Sequence, residues 1–289
     1  MADYRIFTDS GSDIAPATLK EWGVDFLSLT FRFNGEDKEF SNEDMSTSEF
    51  YQRMRDGGVA KTAAVNIESF SREFRKILEG GEDILYLGFS SGLSTTYNSA
   101  RVAAENLKGD FPDRKIITVD TLAASAGQGL LVYLAVKKKN EGAGIEENAE
   151  YIKGLIPSLC HWFTVDDLVY LKRGGRVSAV AALVGGMLGI KPVLHVDDEG
   201  HLINISKVRG RKTAVTALAD KYGELALDKT AGPIFISHAD CYNDAQMLAE
   251  IMKTKYGAPD VKIITDVGTV IGAHSGPGTL ALFFLGKNR

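Results

Sequence analysis

The chain has 289 residues, 44% of them hydrophobic and 25% charged, which supplies a large core and predicts two domains. Its formal net charge of -5 argues against a bulk electrostatic footprint for nucleic acid. Two widely separated cysteines, Cys160 and Cys241, offer no spacing for a zinc site or a redox dithiol and read as buried thiols, so no metal is expected.

The opening MADYRIFTDSGSD lacks a basic segment followed by an apolar core, so no secretion signal and a cytoplasmic location are expected. In the first half, β-branched or apolar runs at Tyr4 to Thr8, Ile84 to Phe89 and Lys115 to Val119 alternate with amphipathic segments. That alternation predicts a Rossmann-like parallel sheet with crossover helices. A helix is predicted from Ser46, with Glu49 completing a capping box, to Gly57-Gly58. Another follows Asn66, carrying Ile67, Phe70, Phe74, Ile77 and Leu78 at helical spacing and stopping at Gly80-Gly81. Two more are read at Thr96 to Lys108 and Ala126 to Asn140.

The character of the chain changes near His161, which divides it into an N-terminal parallel α/β domain, 1–160, and a C-terminal mixed α/β domain, 161–289. The second half reads as a strand at Trp162 to Val165, then a glycine-rich stretch. The apolar run there, Val177 to Ile190, contains three glycines and is too short to span a bilayer. Pro192 to Val196 and Leu202 to Val208 flank DDEG as a hairpin. Helices at Thr213 to Leu225 and Asn243 to Tyr256 alternate with strands at Ile234 to Ser237 and Lys262 to Thr265, and an apolar run, Leu280 to Leu285, closes the chain.

The stretch SSGLSTTYNSA, Ser90 to Ala100, lies in a strand-to-helix turn and allows three readings. As a nucleophile elbow around Ser94 it has Gly92 but Thr96 where the second glycine belongs. As a phosphate cradle it lacks the GK[ST] lysine, although a helix N-terminus attracts anions. As a carboxylate site it joins TDSGSD, TAAVN and DTLAASAG, loops expected at the carboxyl ends of the parallel strands, where such sheets bind ligands. Serines and threonines also serve as caps and turn formers, the plainer reading for each of them. His274 in GAHSGPGT sits in glycine- and proline-bound backbone, either as a structural residue or as an imidazole for an anion. Arg173 and Arg176 in LKRGGRVS bracket two glycines, either as a solvated turn or as an anion or partner contact.

In order, TDSGSD, KTAAVN, SSGLSTTYNSA, DTLAASAGQG, LVYLKRGGRVS, IKPVL and GAHSGPGT resemble the DegV family of bacterial fatty-acid-binding proteins over essentially the whole chain. The resemblance implies a two-domain α/β protein with a ligand tunnel between its domains. There it would bury one long-chain fatty acid such as palmitate, stearate or oleate, with the carboxylate held near the surface by hydroxyls. It also implies a carrier that does no chemistry and needs no cofactor, presenting the acid to a dihydroxyacetone-kinase-like fatty acid kinase that phosphorylates the carboxyl group with ATP. Thr62 matches the threonine of the family's KTSQ-like loop and Ser94 the later serine of its SSGLSGTY loop, the two implied carboxylate ligands. His274 matches the histidine before GPG and Arg173 the arginine of RGGR, both implied to flank the head group. Ala63 and Thr95 depart from the family's serine and glycine, removing one donor and stiffening one turn.

A sixteen-carbon tail gains on the order of 11 kcal/mol gross from burial, before the costs of association, while the carboxylate stays at a polar mouth. Ala179 to Leu188 and Phe283-Phe284 are candidate tunnel walls. Two other classes remain open: a Ser/His hydrolase using Ser94 and His274, and a lipid-responsive sensor. The basic segment KVRGRK, with Arg209 and Arg211, is either a docking surface for the kinase or a solvated hairpin end.

Overall fold

A computed structural model describes residues 3–176 and 189–289. Strand β1 (Tyr4–Asp9) leads to helix α1 (Pro16–Glu21), whose proline occupies the first turn, where its missing N–H costs nothing, and then to β2 (Val24–Leu27). There follow β3 (Thr30–Phe33), β4 (Phe40–Ser41), α2 (Thr47–Arg55), β5 (Ala60–Ala63) and α3 (Ile67–Glu79). Next come β6 (Asp83–Gly88), α4 (Thr96–Leu107), β7 (Ile116–Asp120), α5 (Ala126–Asn140) and α6 (Ile145–Leu155). Both predicted caps form: Ser46 Oγ accepts from the Glu49 N–H at 3.2 Å, and Asn66 Oδ1 from the Ser69 N–H at 2.8 Å. The face of α3 read from the sequence is the buried one, through Phe70, Phe74 and Leu78.

Strands β2, β1, β6 and β7, in that order, make a parallel four-stranded sheet. Strands β4, β3 and β5 form a separate antiparallel sheet of three strands that the sequence reading did not predict. The remaining elements are β8 (Leu159–Thr164), α7 (Val169–Gly174), β9 (Ile190–Val196), β10 (Leu202–Arg209), α8 (Arg211–Leu225), β11 (Phe235–His238), α9 (Tyr242–Tyr256), β12 (Ile263–Asp266), α10 (Thr269–Ser275) and β13 (Leu280–Leu285). Their six strands form one mixed sheet in the order β10-β9-β8-β13-β11-β12, parallel only between β11 and β12. The predicted hairpin is the β9–β10 pair.

Helix α5 is buried along most of its length, and the core around it joins Tyr4, Ile6 and Leu85 of the parallel sheet to Phe163, Phe235 and Phe283 of the mixed sheet. The small sheet is fixed to the second half in the same way. Phe31, Phe33, Phe50 and Tyr51 pack with Ala239, Val267 and Ala273, and the Tyr51 hydroxyl donates to the Val267 carbonyl at 2.5 Å. Of the expected tunnel walls, Ala179 to Leu188 lies outside the described residues. Alternation along β13 turns Phe283 towards α5, whereas Phe284 faces the opposite core, edge-on to Tyr222 at 5.1 Å.

Candidate functional site

A cavity of about 470 Å³ lies between the carboxyl-end loops of the parallel sheet and one face of the mixed sheet. That is the size of a small-molecule site. Strand pairing builds its floor: Ser237, Ala281 and Phe163 stand side by side in one row, and Phe283 and His161 in the next. The opposite wall comes from Leu29, Thr62 to Ala64, Phe89, Ser91 to Thr95, Ala124 and Ser125. Val267, Val270, Ile271, His274 and Ser275, from α10 and the turn before it, close one side. Most of this lining is apolar; apart from His161 in the floor, several of its polar groups gather in two places.

The first is an edge formed by Thr62, Ser94, His274 and Arg176. Thr62 is held on β5 opposite Phe31 of the small sheet, and its Oγ1 lies 2.8 Å from Nε2 of His274 on α10. Burial, and then the Arg176 guanidinium, push the His274 imidazole down to about 4, so it is neutral at physiological pH. Its Nδ1 has no hydrogen-bond partner among the described residues. Ser90 shapes the neighbouring turn: its carbonyl accepts from the N–H groups of Leu93 and Ser94, and its hydroxyl donates to the Gly200 carbonyl at 3.0 Å. Ser94 Oγ accepts from the Thr96 N–H at 3.2 Å and lies 2.9 Å from Thr96 Oγ1. Arg176 ties this turn to α7, its Nε donating to the Leu93 carbonyl at 3.2 Å and its Nη1 to the Gly174 carbonyl at 2.6 Å.

The second polar place lies deeper. Ser125, held at φ 55°, has its Oγ 2.5 Å from Asp13 Oδ2 and 2.8 Å from Ser237 Oγ. The Gly268 N–H donates to the other Asp13 oxygen at 3.0 Å. Burial raises the Asp13 carboxyl to about 7 against the lowering pull of those two donors. Ser237 and His161 carry no signal in the linear sequence beyond that of a polar residue in a mostly apolar strand. Only the period-two pattern of LCHWFT and FISH places both on the face that becomes the floor.

The structure thus brings Thr62, Ser94 and His274 to one cavity edge. Both arginines of the segment are exposed; Arg176 is the one that lines the cavity, and Arg173 has its guanidinium 5.8 Å from the Tyr170 ring. The Ser94–His274 pair that a hydrolase would use is not among the hydrogen bonds of the described residues: Ser94 is bonded to Thr96 and His274 to Thr62. In the basic segment Arg209 is exposed, but Arg211 is held by Asp244 at 2.8 Å and Asp166 at 3.5 Å. Among the described residues no cluster of three or more His, Cys, Asp or Glu is placed to hold a metal ion, and no helix is long and apolar enough to cross a membrane.

Comparison with known proteins adds to this geometry. The family model described as "Uncharacterised protein, DegV family" matches residues 3–287. A DegV domain-containing protein of Clostridium perfringens is 41% identical over 290 residues, spanning 100% of this chain and 99% of its own. A second, from Streptococcus pyogenes, is 35% identical over 286 residues and 99% of both chains. Among solved structures, a DegV lipid binding protein of Thermotoga maritima superposes with a TM-score of 0.87 at 31% identity over 99% of both chains. A DegV family protein of Thermus thermophilus, described for its fatty acid binding, gives 0.89 at 28% identity over 99% of this chain and 100% of its own. A stearic-acid-binding protein of Eubacterium ventriosum gives 0.88 at 26% identity over 98% of both.

Proposed function

The chain belongs to the DegV family, and from that premise we propose that it binds one long-chain fatty acid, such as palmitate, stearate or oleate, in the cavity between its sheets. The observation that carries this reading is a lining that is mostly apolar, with Phe163, Ala281 and Phe283 in its floor, and an edge that gathers hydroxyl, imidazole and guanidinium groups. An alkyl tail is stabilised by the first, and a carboxylate requires the second, because an anion taken out of water needs donors. Relatives of the same fold that bind fatty acids support it.

Thr62 and Ser94 hold the carboxylate. Neutral His274, with no acceptor at Nδ1, carries its proton on Nε2 and donates it to Thr62 Oγ1, which leaves the Thr62 hydroxyl hydrogen free for the ligand. Ser94 Oγ accepts from the Thr96 N–H, and with Thr96 Oγ1 as the donor of the 2.9 Å hydroxyl pair its own hydrogen turns to the ligand. Arg176 takes the charged role that the resemblance gave to Arg173. In this reading the segments 1–160 and 161–289 are the two lobes around the ligand. The protein is a cytoplasmic carrier without cofactor that delivers its acid to a dihydroxyacetone-kinase-like fatty acid kinase. The phosphoryl transfer belongs to that kinase and its ATP.

Solvent extraction of the purified protein followed by mass spectrometry is expected to yield an intact long-chain fatty acid. Thr62→Ala combined with Ser94→Ala should weaken fatty-acid binding by several-fold or more. Unchanged affinity in the double variant would place the carboxylate elsewhere, and ester turnover abolished by Ser94→Ala would point to the hydrolase instead.

A further inference from the structure

The floor of the cavity contains one group that a plain alkyl tail does not satisfy. His161 is 1% exposed and lines the cavity, yet neither Nδ1 nor Nε2 has a hydrogen-bond partner among the described residues. Its backbone carbonyl is engaged by His195, but the ring is not. The ring has a seat of its own. It stands edge-on to Phe283 at 5.8 Å, and a Cβ at Gly127 would fall 2.6 Å from His161 Cδ2 and 2.9 Å from Nε2, so the first turn of α5 stays bare where the imidazole lies. Burial pushes this histidine well below its ordinary range, which leaves a neutral ring with one N–H donor and one lone pair. Each buried polar atom left unpaired costs about 1–3 kcal/mol, so a ligand that supplies the missing partner is favoured over one that does not.

The position of His161 fixes which part of a ligand meets it. Strand β8 runs from His161 through Phe163 towards α7, whose last residue, Gly174, abuts His274 at the polar edge. Two residues along a strand span roughly 7 Å, so His161 lies a row deeper than Phe163 and faces the middle or far half of a tail. The two ring nitrogens point apart, so a hydroxyl there pairs with the one that faces it, accepting if that nitrogen carries the proton and donating if it is bare.

We propose that the cavity selects acyl chains bearing a hydroxyl group in their middle or distal half, with His161 as the residue that recognises it. This rests on the fatty-acid reading above and specifies the class of acid. The test uses the full chain stripped of lipid, with dissociation constants measured for stearic acid and for stearic acids hydroxylated at the second, tenth and twelfth carbons. At least one of the two distal hydroxy acids should bind about five- to tenfold tighter than stearic acid, with no such gain for the second-carbon isomer. In His161→Leu the distal hydroxy acids should lose their advantage over stearic acid, whatever the variant's affinity for stearic acid itself. Distal hydroxy acids binding no tighter than stearic acid to the unaltered protein would overturn the inference without any variant having to fold. A preference that persists in His161→Leu would overturn it too. If stearic acid binds without preference, only this inference fails; if none of the acids binds, the fatty-acid reading fails with it.

Discussion

Sealed behind the cavity wall, the Asp13 carboxyl couples pH to stability in a direction that can be worked out. Its folded pKa of about 7 stands above the ordinary 3.8, so folding favours the protonated acid. The stabilisation is full below about pH 4 and is lost as pH rises through about 7. Asn reproduces the neutral acid, with Oδ1 accepting from Gly268 and Nδ2 donating to Ser125. Urea unfolding at about pH 5 and about pH 8 should therefore show the wild type losing roughly 2–3 kcal/mol that Asp13→Asn keeps. His274 works in the opposite sense: its pKa is depressed to about 4, so its contribution is present above about pH 6.5 and fades as pH falls. The two slopes oppose each other in one window, and the difference between the two proteins, rather than either curve alone, carries the test. Equal changes in both would mean that Asp13 stays ionised. Residues at this scale were legible only in part. Ser94 stands in a loop crowded with hydroxyls and Thr62 is marked by the family resemblance, whereas the role of Ser125 depends on Ser237, 112 residues away in sequence and brought near only by folding.

At the scale of elements, the head-group edge depends on how α7 meets α10. A Cβ at Gly174 would run into Nδ1 of His274, so the last residue of α7 must be small for the imidazole to reach Thr62. Gly174 does not have the left-handed φ that would require glycine on its own account. Alanine is ordinarily favoured over glycine in a helix by up to about 1 kcal/mol. Gly174→Ala should consequently leave the unfolding midpoint little changed while weakening fatty-acid binding several-fold, because the imidazole is pushed off Thr62. An unaltered dissociation constant would show that the Thr62–His274 pair does not support the ligand. Sequence pattern revealed the long elements well, since α3 shows its buried stripe and its cap within thirteen residues. It missed the sheet that carries Thr62. Strands of two to four residues, separated by NGEDK and by α2, are too short to show alternation, and their pairing is fixed by Phe31, Phe33 and Phe50 packing against the second half of the chain. The helix holding His274 was equally hidden, because VIGAHSG reads as a turn when its helical packing on α7 and β3 is unknown.

For the whole molecule, the proposed delivery to a kinase demands a docking surface near the head-group edge, and the mixed sheet puts the basic segment at the right end. Strand β10 closes with Arg209 opposite Ile190 and Val208 opposite Lys191, and Lys191 reaches Asp166, just beyond β8 on the way to α7. Lys207, Arg209 and Lys212 are exposed there. Arg211 is not equivalent to them: its guanidinium is bound to Asp244 and Asp166 and touches Cys241 Sγ at 3.4 Å, so reversing its charge would strip Asp244 of its partner, set a like charge beside Asp166 and disturb α8 and α9. The informative variant is therefore Lys207→Glu with Arg209→Glu. It should retain its unfolding midpoint and its fatty-acid affinity, because neither residue lines the cavity. With the kinase and ATP it should need several-fold more carrier for half-maximal acyl phosphate formation, and added salt should shrink the gap between variant and wild type, since screening removes the attraction that the variant has already lost. Unchanged acyl phosphate formation at low salt would exclude this segment as the docking surface. Loss of formation together with loss of fatty-acid binding would instead trace the defect to the cavity.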